Sequence, residues 1–205
     1  MAQASPRMAR KKEETKQKII TAALGLFREQ GFDATTMESI AEAVDIAKGT
    51  LYNYFPVKEA ILDEYIRRGF RERNAGSLAQ IQSLPDTRAR MGHSFAHLLA
   101  GVQAQPVIFE KYVTYRMQRW ISFQQDEEEK SGFHLLAAEI VRLGQQSGEL
   151  RRDLPAGMLE DLCEYAFMLA VKAFYLSPES FSAEQAIGRC VDVFINGAGD
   201  CPKEV

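Results

Sequence analysis

Apolar residues recur along this chain at intervals of three and four. No segment sustains the strict alternation of a half-buried strand. The spacing predicts an all-α protein of about nine helices. The first is expected from about Glu13 to Gln30, with Ile19, Ile20, Ala23 and Phe27 on its inner face. Gly31 suits the left-handed stop after it. Thr35-Thr36 then opens a second helix, with Thr36 as its cap and Met37, Ile40, Ala41 and Val44 on one face. Ser39 stands where a full capping box has Glu or Gln, so a cap without the complete box is expected. Asp45 follows, a residue that tolerates the left-handed region better than most. A short third helix, about Ala47 to Tyr54, is stopped by Pro56. A fourth runs from about Val57 to Gln82 through Ile61, Leu62, Tyr65, Ile66 and Phe70.

Ser83-Leu84-Pro85-Asp86 breaks the pattern. A fifth helix extends to about Gln105, and Pro106 suits the first turn of a sixth that continues through Trp120. A seventh is expected from about Gln125 to Gln146, ended by Ser147-Gly148. An eighth follows Leu154-Pro155-Ala156-Gly157 to about Leu176, and a ninth spans about Ala183 to Asn196.

The composition adds limits to this picture. The longest apolar run, Tyr165 to Leu176, carries Lys172 and is far shorter than the roughly 20 residues a membrane span requires. No secretory leader is read at the N-terminus, because Arg7, Arg10, Lys11 and Lys12 are not followed directly by an apolar stretch. Cys163, Cys190 and Cys201 lack metal-type spacing, and free thiols in a reducing cytoplasm are the simplest expectation. The net charge of −3 would by itself argue against a nucleic-acid partner. It is unevenly spread, however. Residues 1–73 hold 13 basic and 11 acidic side chains, while the remainder carries the acidic excess.

Two short helices joined by a tight turn form the most informative segment. Ala41 is small where they must cross. Ile40, Val44, Ile46 and Leu51 are spaced to fill the wedge between them. The third helix has Lys48, Gly49, Thr50, Tyr52, Asn53 and Tyr54 on its remaining surface and no acidic residue. Thr, Tyr and Asn can hydrogen-bond phosphates or base edges, Lys neutralises charge, and Gly49 permits close approach to the DNA backbone.

The segment Thr15–Tyr65 resembles the DNA-binding domain of the TetR family of bacterial transcriptional regulators. The resemblance lies in Ile20-Thr21-Ala22-Ala23, Leu26-Phe27, Gly31-Phe32, Thr35-Thr36, Ile40-Ala41, Lys48 through Phe55, and Lys58 through Leu62. Two positions depart from the pattern: Asp45 replaces the usual turn glycine, and Ala47 replaces the usual Ser or Thr cap of the recognition helix. Asp45 is expected to supply part of that missing cap.

The resemblance implies a flexible basic arm at 1–12, a helix-turn-helix domain at 13–56, a connecting helix at 57–82, and an effector-binding and dimerisation domain at 83–205. It implies DNA contacts from Thr36, Lys48, Gly49, Thr50, Tyr52, Asn53, Tyr54 and Lys58, with Tyr52 and Lys58 on phosphates and Lys48 and Thr50 on base edges. The implied function is a ligand-responsive regulator, a repressor released from a pseudo-palindromic operator. The implied partners are double-stranded DNA, a second copy of the chain and a small effector. Neither a cofactor nor a membrane is implied, and the expected location is cytoplasmic.

The later helices fit this reading. The aromatic and Met-rich candidates for an effector pocket are Phe95, Leu99, Phe109, Tyr112, Val113, Arg116, Met117, Trp120, Phe133, Leu136, Ile140 and Phe167, which suit an apolar or aromatic ligand. Arg116 and Arg119 lie among them as partners for an anionic ligand group or for surface carboxylates. The eighth helix is apolar nearly all round and must be buried on both sides. Expected dimer residues are therefore Leu159, Cys163, Ala166, Ala170 and Phe174, with Ile187, Cys190, Val191, Phe194 and Ile195 on the ninth. His93 and His97 sit one helical turn apart, a spacing that can bind metal in a helical-bundle enzyme. No third ligand, nucleophile–base pair or phosphate loop accompanies them, so neither an enzyme nor a metal site is expected. His134 is expected at the surface or a pocket edge, and Asp126–Glu129 as a solvated acidic run.

Overall fold

The computed structural model describes residues 6–121 and 132–198, without the side chains at 6, 9, 70–75, 120, 121 and 198. Every regular element among them is helical: α1 (Pro6–Gln30), α2 (Met37–Ala43), α3 (Lys48–Tyr54), α4 (Lys58–Ser83), α5 (Thr87–Ala104), α6 (Pro106–Ile121), α7 (His134–Ser147), α8 (Ala156–Leu176) and α9 (Ala183–Ala198), with a 3-10 turn at Pro178–Ser180. None of these helices is long and apolar enough to cross a membrane. The acidic run Asp126–Glu129 lies outside the described residues.

The first correction concerns the N-terminus. The stretch expected as an arm is helical from Pro6 onward. Arg, Met, Ala and Lys are good helix formers, and Arg10 pairs with Glu14 one turn later at 3.3 Å.

Two compact units make up the chain. One comprises Met1–Arg68 with Val107–Gln125, the other Gly69–Pro106 with Asp126–Val205. This division differs from the expected boundaries at 56, 82 and 83. The first part of α4 belongs with the helix-turn-helix, and α6 joins it rather than the later helices. The reason is packing. Ile61 and Leu62 of α4 are fully buried in the same core as Ile19, Ile20 and Ala23 of α1, Ile40 and Ala41 of α2, and Leu51 of α3. Tyr112 of α6 is buried there too, with Ile108, Phe109 and Val113 packed alongside. Lys111 adds an ion pair to Asp33 at 2.8 Å.

The second unit is built around α8, which packs on α7 and α9. Its centre holds Phe95, Phe133 and Phe167, with ring centroids 5.3–5.8 Å apart. Such tilted aromatic contacts add to the gain from burial alone. Near the end of α7, Gly144 has no room for a side chain. A Cβ there would lie 2.7 Å from Leu150 Cγ and from Thr87 Oγ1, both on fully buried residues. Gly144→Ala should therefore destabilise the full chain by about 1–3 kcal/mol, although alanine is the better helix former. Urea denaturation reads this directly, and an unchanged midpoint would show that Leu150 yields freely.

Candidate nucleic-acid interface

Local chemistry explains the motif from residue to residue. Thr36 is extended, and its hydroxyl accepts the Ser39 N–H at 3.1 Å. The Ser39 hydroxyl accepts the Thr36 N–H at 3.1 Å in return. The capping box expected to be incomplete is thus closed, because a serine at the third helical position reaches as a Glu or Gln would. At the other end of α2, Asp45 adopts φ 54°, the only non-glycine residue among those described with a positive φ. Its N–H donates to the Glu42 carbonyl, and the Ile46 N–H donates to the Ala41 carbonyl, both at 3.1 Å. These are the two bonds of a Schellman turn. The turn therefore forms with Asp where glycine is usual.

The Asp45 side chain does not replace the missing cap of α3. Ala47 stands at that cap in an extended conformation, and no side chain bonds to the helix start there. This corrects the expectation for Asp45. Ala47→Ser is predicted to raise stability by about 1 kcal/mol, since a serine hydroxyl at this cap position can accept an otherwise orphan N–H. A shift in the thermal midpoint of the full chain measures it, and an unchanged midpoint would mean that water already satisfies the helix start equally well.

Helix α3 is anchored by one fully buried side chain, Leu51. Lys48, Gly49, Thr50, Tyr52 and Asn53 are exposed, as is Thr36 at the start of α2. Tyr54 differs from them, being half-buried against the core of its unit. An acidic group absent from α3 itself arrives from its neighbour. Glu38 of α2 pairs with the Lys48 ammonium, which also lies 5.8 Å from the Tyr52 ring centre. The hydrogen bond from Lys48 holds the Glu38 carboxyl below its ordinary pKa, and the same bond raises that of Lys48. Helix α3 itself carries no acidic residue, and the carboxylate beside Lys48 lies ten residues upstream on α2.

Lys58 also departs from expectation. Its ammonium donates to the backbone carbonyls of Phe32 at 2.6 Å, Thr35 at 2.9 Å and Asp33 at 3.2 Å. It lies 4.6 Å from the centre of the Phe32 ring. All three N–H groups of the ammonium thus have partners within the chain. The turn between α1 and α2 is pinned to the start of α4, a task different from the expected phosphate contact.

The effector candidates divide between the units. Phe95, Leu99, Phe133, Leu136, Ile140 and Phe167 are all buried in the second unit, where the three phenylalanines meet. Phe109, Tyr112, Val113, Arg116 and Met117 belong to the first. The side chain of Trp120 lies outside the described residues. In the first unit Arg116 faces Asp63 at 3.7 Å, and Arg67 lies 3.1 Å from the same carboxylate. Burial raises the pKa of Asp63 against the opposing pull of Arg116 and Arg67. Burial also acts upward on its neighbour Glu64, but the bond from Arg68 and the charge of Arg67 more than offset it, leaving that pKa lowered.

The expected dimer residues lie mostly on the inward side of their helices. Leu159, Cys163, Ala166 and Ala170 of α8 are buried within the protomer, as are Ile187, Val191 and Phe194 of α9. Burial drives the Cys163 thiol pKa strongly upward. Phe174, Cys190 and Ile195 are partly exposed. The strongly exposed apolar side chains are others: Met158, Leu162, Leu169 and Leu176 on α8 and Val193 on α9. Between the two helices runs a groove of about 400 Å³, bounded by Leu169, Ala173, Leu176, Ala186, Arg189 and Cys190 among others. Periodicity showed two apolar sides on α8 but not which of them faced inward.

His134 is likewise corrected. It is buried at the start of α7, with Nδ1 3.1 Å from Glu164 and Nε2 3.3 Å from Glu160. His93 and His97, on α5, are half-buried and exposed respectively.

The geometry defines the class. A capped α2, a Schellman turn and a short α3 with Leu51 fully buried form a helix-turn-helix domain of the DNA-binding type. Residues 19–65 match the family of bacterial regulatory proteins named tetR. The biofilm operon icaADBC negative transcriptional regulator IcaR of Staphylococcus aureus strain Newman is 42% identical over 52 residues. That alignment spans 25% of this chain and 28% of IcaR. Over longer spans the likeness is one of fold. A chain from Shewanella sp. PV-4 assigned to the tetR family superposes with a TM-score of 0.59 at 25% identity, covering 91% of this chain and 99% of that one. FadR of Thermus thermophilus, a TetR family repressor solved with lauroyl-CoA, reaches a TM-score of 0.64 at 22% identity, covering 93% and 99%.

Proposed function

We propose that this protein is a homodimeric, ligand-responsive transcriptional repressor acting on a pseudo-palindromic operator in the bacterial cytoplasm. The observation that carries the reading is the exposed face of α3. Lys48, Thr50, Tyr52 and Asn53 stand exposed on a helix whose fully buried side chain is Leu51. Hydroxyl, amide and ammonium groups of this kind serve base edges and phosphates, and Thr36 adds a hydroxyl at the start of α2. So short a helix reads few bases, and a dimer gains by reading two half-sites. The exposed leucines of α8 and Val193 of α9 supply apolar surface for that pairing.

The buried cluster of Phe95, Leu99, Phe133, Leu136, Ile140 and Phe167 supports an apolar or aromatic effector, as does the lauroyl-CoA held by the FadR fold neighbour. Repression is supported by the negative regulator IcaR, similar in the DNA-binding segment. Helix α4 contributes residues to both units, which suits a ligand-dependent shift between DNA-competent and DNA-incompetent states.

The test begins with the wild-type chain and a randomised duplex pool, followed by binding of the selected operator. Affinity should fall linearly in log–log form with salt. Thr50→Ala combined with Tyr52→Ala should weaken operator binding by about tenfold or more at constant fold, as loss of a base and a phosphate contact implies. Undiminished affinity in that double variant would remove α3 from the interface.

A further inference from the structure

The Glu38–Lys48 pair is the one feature of the reading surface that general phosphate binding does not explain. Lys48 is the first residue of α3 and Glu38 the second of α2, so two helices converge to make the contact. Side chains of both are about half exposed, at 55% and 50%, so the contact is open to an approaching duplex. An exposed ion pair of this kind adds little to stability. Helices α2 and α3 are already joined through Ile40, Ala41 and Leu51. If the surface served only to attract phosphates, the carboxylate would be a handicap, since it repels the DNA backbone and neutralises the lysine. It becomes useful where the DNA presents a donor for Glu38 beside acceptors for Lys48.

The major-groove edges of the base pairs differ in this respect. A G·C pair presents two adjacent acceptors, guanine N7 and O6, followed by one donor, cytosine N4–H. Acceptors and donor are segregated, as the two charges of the pair are. On A·T the single donor, adenine N6–H, is flanked by acceptors on both sides, N7 and thymine O4. A carboxylate placed there meets an acceptor next to its donor.

Resting on the DNA-binding reading above, we propose that Glu38 and Lys48 together read one G·C base pair in each operator half-site. Lys48 donates to guanine O6 and N7, and Glu38 accepts from cytosine N4–H. Glu38 is thus a specificity-determining residue that also discourages non-specific binding. The Tyr52 ring beside the ammonium favours the position of Lys48.

Selection from a randomised duplex pool with the full chain tests this, using wild type, Glu38→Gln and Lys48→Met. The wild type should prefer G·C about tenfold or more at one position per half-site. Glu38→Gln should lose that preference or move it toward A·T, because a glutamine amide matches adenine N6 and N7. Its affinity for non-specific duplex should rise, while other motif positions stay unchanged. Lys48→Met should flatten the same position. Replacing the selected guanine by 7-deazaguanine, which lacks the N7 acceptor, should weaken wild-type binding but leave Lys48→Met binding unchanged, and this arm needs no folded Glu38 variant. A motif that is present and identical in all three proteins overturns the pair as a base reader, as does an A·T preference at the affected position in wild type. Failure of wild type to enrich any motif would instead remove the DNA-binding reading and this inference with it.

Discussion

Leu169→Glu combined with Val193→Glu is expected to yield a folded monomer that has lost at least about 100-fold in operator affinity, the scale on which joining two binding modules acts. Leu169 is 57% exposed and Val193 71% exposed. Val193 stands three and four residues beyond Cys190 and Arg189, and so shares the side of α9 that borders the groove with Leu169. Burial of such side chains between copies contributes roughly 1.5–3 kcal/mol each, repeated by symmetry. A glutamate in their place costs still more when desolvated without a partner. Each protomer would then read a single half-site. Sedimentation measures the association state and circular dichroism the fold. The companion change Ala170→Glu, on the fully buried side of α8, should unfold the protein rather than dissociate it. A dimer that persists in the double variant would place the interface elsewhere.

Lys58→Ala should lower the unfolding free energy by about 2–3 kcal/mol, given that hydrogen bonds to a charged group contribute about 1.5–3 kcal/mol each and are not additive within one cluster. The substitution releases three carbonyl partners on the α1–α2 turn and the contact with the Phe32 ring. Urea denaturation of the full chain provides the measurement. Salt titration separates this role from the phosphate contact that sequence suggested. A pinning lysine leaves the slope of log affinity against log salt unchanged in the folded variant, whereas loss of a phosphate contact reduces its magnitude by about 0.9. An unaltered stability with a reduced slope would restore the phosphate role.

Features governed by neighbours in the chain are legible in the amino-acid sequence alone. The starts of α2 and α3, the left-handed Asp45 and the inner faces of α1 and α2 all follow from short-range sterics and helical period. The candidates Lys48, Thr50, Tyr52 and Asn53 emerge in the same way, because a short helix with one buried leucine must expose its other side. Where a single residue type carries the expectation, reading is less secure. Ser39 completes a capping box without being Glu or Gln, and Pro6 starts a helix within what looks like a basic arm.

Features made by partners distant in the chain are not legible in this way. Glu38 is ten residues from Lys48, and the carbonyls that hold Lys58 lie 23 to 26 residues upstream. Helix α6 is separated from the core it joins by the whole of α5 and the latter part of α4, and the apolar residues Ile108, Phe109, Tyr112 and Val113 fit a pocket wall as well as a core. By itself, then, the sequence determined the all-α class, the helix-turn-helix and the residue types on the exposed side of α3, since local period and capping act over a few residues. Only the tertiary structure decided which unit takes α6, which side of α8 faces inward, and that Lys58 is pinned while Lys48 is paired. Hydrophobicity rewards burial without naming a partner, and an ammonium donates to whichever oxygens the fold brings within reach.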